Sequence, residues 1–443
     1  MHRFSFEDFR HAKRLRETLR ALSEHPNDSV PQATQQASKS QSIYRFWSNP
    51  RIQARQILAS HRPSVVARVN AERVVLAIQD TTDLDFSSLQ QTSGLGFICQ
   101  TQQQGIKVHS CFAVSGDGEP LGVLHQHTWS RAERAGKRQS RRQRPTGEKE
   151  SQRWLDTLTA AEPGVDDSVC LVHVGDREAD IYDLFVQPRR AHSELLIRAA
   201  HNRKVEGELG YLIPTLAQAP IQGQLSVEVA RNPQRPARQA TLTLRAMTLT
   251  IAVPRNGKQA PAAQPVQLNA VLAEETQPPA DGSQPIRWML LTTLPVETFE
   301  QACQCVRWYS RRWLIERFHF TLKSGCRIEQ LQLETAERLC NALATYSIVA
   351  WRLMWLTYHA RVAPDDACDA ILQTAEWRLL RRRFEPKNRS KKPPTIRQAV
   401  RWIAQLGGFL ARKGDGEPGL KTLWRGLGVL HHLLEGAQLA AKR

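Results

Sequence analysis

Trp308-Tyr309-Ser310-Arg311-Arg312-Trp313-Leu314-Ile315-Glu316-Arg317-Phe318-His319-Phe320-Thr321-Leu322-Lys323 lies in a longer stretch, Val296 to Gly325, whose apolar spacing predicts a helix. At about 100° per residue, Tyr309, Arg312, Glu316 and Lys323 fall within one arc of roughly 60°. A face of Tyr, Arg, Glu and Lys suits a carboxylate metal ligand flanked by phosphate-binding groups. A solvated face with (i, i+4) pairing gives the same pattern, so the spacing alone leaves both readings open.

Two further carboxylates stand upstream. Val74-Val75-Leu76-Ala77-Ile78 reads as a buried strand with Asp80 directly after it, in Ile78-Gln79-Asp80-Thr81-Thr82. Val169 to Val174 reads as another, ending at Gly175-Asp176 before Arg177-Glu178-Ala179-Asp180. Carboxylates at adjacent strand ends raise each other's pKa, and hard divalent cations binding through oxygen remove that cost. Taken singly, either residue also fits an ordinary turn or helix N-cap.

Further strands are predicted at Ile106 to Val114 and Pro120 to Trp129, then a basic loop, Arg131 to Arg144, and an amphipathic helix starting near Glu148. Three strands, a helix and another strand suit an α/β fold with a mixed sheet of the ribonuclease-H kind. The runs Leu225 to Ala230, Ala240 to Ala252, Val266 to Leu272 and Trp288 to Thr293 predict an all-β insertion. Basic helical patterns open the chain, and helical periodicity fills Glu334 to Val362 and Thr395 to Ala441. The expected order is a helical unit (1–65), the first part of the α/β domain (66–202), the β-rich insertion (203–294), the second part of the α/β domain with the Glu316 helix (295–362) and a helical C-terminal region (363–443).

The 443 residues carry 61 Lys+Arg against 43 Asp+Glu, a net +18 that draws polyanions, nucleic acid first among them. No stretch reaches the roughly 20 uncharged residues a membrane span needs. The charged start lacks a secretory signal, so a cytoplasmic, nucleoid-associated protein is expected. The eight cysteines are scattered apart from Cys303 and Cys305, as expected of reduced core thiols.

The pattern Y-x-x-R-x-x-x-E-x-x-x-x-x-x-K at Tyr309, Arg312, Glu316 and Lys323, with Gln79-Asp80-Thr81-Thr82 and Asp176-Arg177-Glu178-Ala179-Asp180, resembles the insertion-sequence-four family of DDE transposases, its transposon-five-type members above all. The likeness extends to Tyr44-Arg45-Phe46, Leu121-Gly122-Val123-Leu124-His125-Gln126, Glu148-Lys149-Glu150-Ser151, Arg235-Pro236-Ala237-Arg238, Leu268-Asn269-Ala270-Val271-Leu272-Ala273-Glu274-Glu275 and Leu406-Gly407-Gly408-Phe409. Several ordered motifs agreeing at once make it specific.

The resemblance implies cut-and-paste transposition at inverted transposon ends, by a homodimer that pairs two ends of double-stranded DNA and joins them to target DNA. It implies two magnesium or manganese ions per site, with Asp80 bridging both and Asp176 and Glu316 binding one each. Tyr309, Arg312 and Lys323 would hold phosphates beside the scissile bond. Trp288 and Trp313 match positions that stack on a flipped base, and Arg198 matches a DNA-contacting arginine; without the likeness, the tryptophans read as core packing. Arg45 and the helix around Arg14 and Arg16 would meet phosphates of the ends, with Tyr44 near the groove. The sequence starts close to its first basic helix, where relatives carry a longer lead. That keeps open a second reading, a non-catalytic DNA-binding or inhibitory partner of a transposase. A stand-alone ribonuclease-H-type nuclease is the third, and the C-terminal helices argue against it.

Overall fold

The computed structural model describes residues 6, 8–99, 102–132, 146–229, 237–254, 264–277, 279 and 282–440. Four helices come first: α1 (Phe9–Glu24), α2 (Val30–Thr34), α3 (Ala37–Trp47) and α4 (Ala54–Val69). Asp8 caps α1 by accepting from the Arg10 N–H at 2.8 Å. Ala12, Leu15, Thr18 and Leu22 then recur at helical spacing and form its buried face. The bundle docks on the long helix α10 (Ala336–Val362). There the buried Asn341 donates to the carbonyls of Trp47 and Ile52 at 3.0 and 3.1 Å, and Trp47 Nε1 donates to Thr345 Oγ1 at 3.1 Å.

The centre is one ten-stranded mixed sheet in the order β2-β3-β1-β5-β6-β10-β9-β8-β7, with β4 also paired to β3. β1 (Val74–Asp85), β2 (Gly96–Phe97), β3 (Gln104–Ser115) and β4 (Pro120–Trp129) make antiparallel pairs, whereas β5 (Cys170–Gly175) and β6 (Ser193–Arg198) run parallel to β1. The period-two alternation of a strand sorts the core. Val75 and Ala77 of β1 pack with Val65 and Val69 of α4 and with Ala161 of α5 (Gln152–Ala161). Leu76 and Ile78 pack on the other face, in the cluster that holds Ile315 and Phe318.

The expected all-β insertion is corrected in two respects. It contains a helix, α7 (Leu212–Gln218), after the short α6 (Tyr182–Val186) of the preceding region. Its strands β7 (Ile221–Val229), β8 (Arg238–Ile251), β9 (Val266–Glu274) and β10 (Arg287–Thr292) also continue the central sheet, because β10 pairs antiparallel with β6. Leu195, Leu196 and Ile197 of β6 are all buried, and such a strand needs a partner on its open edge. The expected basic loop from Arg131 lies almost wholly outside the described residues.

The expected continuous helix Val296 to Gly325 is likewise corrected. It divides into α8 (Phe299–Ser310), α9 (Trp313–Phe320) and a π-turn, Thr321–Gly325. On one straight helix of about 100° per residue, the buried Ala302, Cys305, Val306 and Tyr309 would face away from the buried Ile315 and Phe318. A break at Arg311-Arg312 lets both sets reach the core. After α10 come α11 (Thr374–Phe384), α12 (Ile396–Leu406) and α13 (Leu420–Ala440), so the tail expected to be helical from Thr395 to Ala441 is interrupted at 407–419. α12 and α13 meet backbone to backbone: a Cβ on Gly426 would lie 1.7 Å from the Ile403 carbonyl oxygen, so only glycine fits. All eight cysteines are free; five are buried, whereas Cys99, Cys170 and Cys340 are partly exposed.

Candidate active site

Asp80 does not end its strand. β1 runs on to Asp85, and Asp80 sits opposite Ser110 of β3. Two residues beyond Ile78, it lies on the face that packs against α9. Asp176 does follow its strand, β5, and caps the next turn by accepting from the Glu178 N–H at 2.8 Å. The parallel register pairs Ile78 with Val174. Extended two residues further, it sets Asp80 beside Asp176. A side chain on Gly175 would come 2.4 Å from the Ala179 Cβ, so the strand must leave its end bare for this turn to close.

Glu316 stands exposed on α9 and is bound by Arg312, whose other amino group is 3.8 Å from Asp80 Oδ2. Arg312 therefore lies between two of the three carboxylates. Burial pushes the Asp80 carboxyl up to about 6; Arg312 and the Thr81 N–H pull it down, while the charges of Asp176 and Glu316 push it up further. The charges of Asp176 and Glu316 are thus both felt at Asp80, which cannot ionise freely. This oxygen-only donor set fits a hard divalent cation, which would relieve the repulsion.

The sign of the Asp80 effect can be tested. The folded chain holds this proton more tightly than the unfolded chain, whose ordinary value is 3.8, so the group opposes folding increasingly as pH rises through about 6. In EDTA at pH 8, Asp80→Asn is expected to stabilise the protein by about 1–3 kcal/mol, with little change at pH 4. Urea denaturation at the two pH values measures it, and equal destabilisation at both would show that the carboxylate is held by its hydrogen bonds.

The remaining expected residues fall into separate groups. Arg198 at the end of β6, Trp288 on β10 and Tyr309 on α8 form one cluster. Leu290, two residues from Trp288, pairs with Arg198, and the Trp288 ring meets Tyr309 edge-on at 5.3 Å. Burial raises the Tyr309 hydroxyl pKa, while the charges of Arg312 and Arg198 pull it down. Tyr309 is only 3% exposed, which corrects its expected place on an open polar stripe. Lys323, in the π-turn, is 3.7 Å from Glu329 near the far end of β1, so the stripe is not one continuous surface. Trp313 is 47% exposed, which sets aside core packing for it. Tyr44 and Arg45 lie on α3, Arg45 exposed and Tyr44 half-buried with its ring 6.2 Å from Trp47. Arg14 on α1 pairs with Glu17 at 2.9 Å.

Sequence reasoning missed two features. His319 is buried with Nδ1 4.0 Å from Asp80 Oδ2, and burial pushes its imidazole down to about 3, so it stays neutral. Its place three residues after Glu316 was the available signal, since i and i+3 share a helix face. A polar groove beside the carboxylates is lined by Thr81, Lys107, Arg131, Arg153 and Arg177 among others. Arg153 bonds Thr81 Oγ1 at 3.1 Å and Glu178 at 2.7 Å. The three arginines come from separated segments, and no local pattern announces that they meet in one groove.

Among the described residues, no helix is long and apolar enough to cross a membrane. Residues 1–52 match the family described as "Transposase DNA-binding", and residues 348–443 match "Transposase Tn5 dimerisation domain". The two matched segments flank the sheet that carries the carboxylates.

Proposed function

We propose that this chain, matched to the Tn5-type transposases in its N-terminal DNA-binding segment and its C-terminal dimerisation segment, is a transposase that cuts and rejoins DNA at Asp80, Asp176 and Glu316 on a ribonuclease-H-like core. The observation that carries this is the half-buried Asp80 carboxyl, repelled by both other acids and flanked by Arg312. A purely DNA-binding partner protein has no use for such a costly arrangement. The antiparallel β4-β3-β1 group continued by parallel β5 and β6, with helices on both faces, supports the fold assignment.

Asp80, Asp176 and Glu316 would hold a pair of magnesium or manganese ions. When bound, such ions supply an activated water or 3′-hydroxyl and stabilise the leaving oxygen. Arg312 holds Asp80 and Glu316 in register and, once the acids are neutralised, turns its guanidinium to a phosphate. Arg198 and the groove arginines guide the backbone, and Lys323 takes a phosphate further along. Tyr44 and Arg45 on α3 serve end binding.

Trp288 and Trp313 would serve hairpin formation, in which a freed 3′-hydroxyl attacks the opposite strand. The duplex bends that tightly only if a base leaves the stack, at a few kcal/mol, and an aromatic platform returns roughly 1–3 kcal/mol. Trp288→Ala is therefore expected to leave first-strand nicking nearly unchanged and to slow hairpin formation at least about tenfold. A gel time course on labelled end DNA in magnesium, with EDTA as control, resolves nicked, hairpin and double-cut species. No magnesium-dependent nick in the parent protein would sink the whole reading. Equal loss of nicking and hairpin in the variant, with a lowered Tm, would make Trp288 only the packing partner of Tyr309.

A further inference from the structure

We propose that His25, Asp28 and His432 form a second metal site, for a divalent transition ion of the zinc class, that fastens the DNA-binding domain to the C-terminal helix. His25 ends α1 and is 1% exposed, yet neither of its ring nitrogens makes a hydrogen bond. Asp28 Oδ2 lies 3.3 Å from Nδ1, and Glu435 Oε1 lies 3.9 Å from Nε2. The His432 ring comes from α13, 4.6 Å away. One ligand atom from each of His25, Asp28 and His432 falls within 4.8 Å of the others. The neighbouring His431 is already engaged, 3.3 Å from Glu376.

A buried imidazole with both nitrogens idle loses its hydration and regains nothing. A metal ion supplies the missing bond, since neutral imidazole is a common ligand. Two imidazoles and a carboxylate are donors that zinc-class ions favour, whereas the three-carboxylate centre suits hard magnesium. A tetrahedral site with bonds of about 2.0–2.1 Å has edges of roughly 3.3 Å, so the ligand atoms must draw together. His432 is exposed and free to turn inward; Glu435 or water completes the shell.

The location gives the ion a structural reach. Between His25 and Asp28, Asn27 donates to the carbonyls of Ser324 and Gly325 at 3.1 Å each, in the π-turn that ends the Glu316 helix. Gly325 in turn lies against Trp424 of α13. A bound ion therefore ties the α1–α2 turn, the end of the catalytic helix and α13 into one unit.

The test uses the full-length protein stripped with chelator and titrated with Co²⁺ alone, then Zn²⁺. We expect one equivalent of Co²⁺ to give the visible band of a tetrahedral site, Zn²⁺ to displace it, and Zn²⁺ to raise Tm by a few degrees. His432→Ala or His432→Gln, on the exposed rim, should abolish band and thermal shift while circular dichroism stays unchanged; His25→Ala should do the same to the band. Asp176→Asn should keep both. A band of equal strength in the His432 variants, or a parent Kd weaker than about 1 mM, overturns the site.

Discussion

Asp176→Asn or Glu316→Gln is expected to lower strand cutting in magnesium by at least about a thousandfold, roughly 4 kcal/mol of transition-state stabilisation. Each change removes one anionic oxygen from a group of three, and the cations would lose both charge and a ligand. Neither should unfold the chain. Asn at 176 still offers an oxygen to the Glu178 N–H, and Glu316 is exposed, its partner Arg312 lying also near Asp80. Binding to transposon ends should remain, because the matched DNA-binding segment spans residues 1–52. Nicking assays on labelled end DNA, run beside a mobility-shift titration, separate the two effects. Retained cutting by either variant would remove Asp176 or Glu316 from the catalytic set.

The parts of the fold governed by local pattern were legible in the sequence. The apolar run Val74 to Ile78 marks β1, and the mostly apolar Val169 to Val174 with the glycine-aspartate pair after it identifies β5 and places Asp176. What failed was non-local. Nothing in Thr81-Thr82-Asp83-Leu84-Asp85 announces that β1 continues, because that continuation rests on the pairing of these five residues with β3. The break at Arg311-Arg312 follows from two opposed apolar faces that only the sheet and α10 define. Tyr309 therefore looked like part of a polar stripe when it is the buried prop of Trp288. His319 and the groove arginines escaped notice for the same reason: their meaning comes from Asp80 and Asp176, which reach them through the tertiary fold. The continuity of β10 with β6 is a pairing across about 90 residues of chain, beyond any periodicity argument.

Leu433→Glu is expected to dissociate the paired-end complex while leaving single-end binding and folding intact. α13 falls within the matched dimerisation segment, residues 348–443. Leu423, Trp424, Leu427 and Leu430 form its inward face. At about 100° per residue, Val429, Leu433, Gly436 and Ala440 form a stripe on the opposite side. Val429 and Leu433 on that stripe are 40% and 42% exposed. An apolar stripe left in water on a helix whose other face is packed suits self-association, with the small Gly436 and Ala440 allowing close approach. Deleting the whole tail from Thr395 would test this poorly, since Trp424 packs on Phe320 of the Glu316 helix at 5.8 Å and its loss would disturb that helix as well. A point charge is cleaner. In a two-fold interface the new carboxylate occurs twice, and burying it unpaired should weaken association at least about a hundredfold. Sedimentation with and without end DNA reads the assembly state, and a two-end bridging gel reads pairing. Unchanged dimers and paired ends in Leu433→Glu would move the contact to another face of residues 348–443.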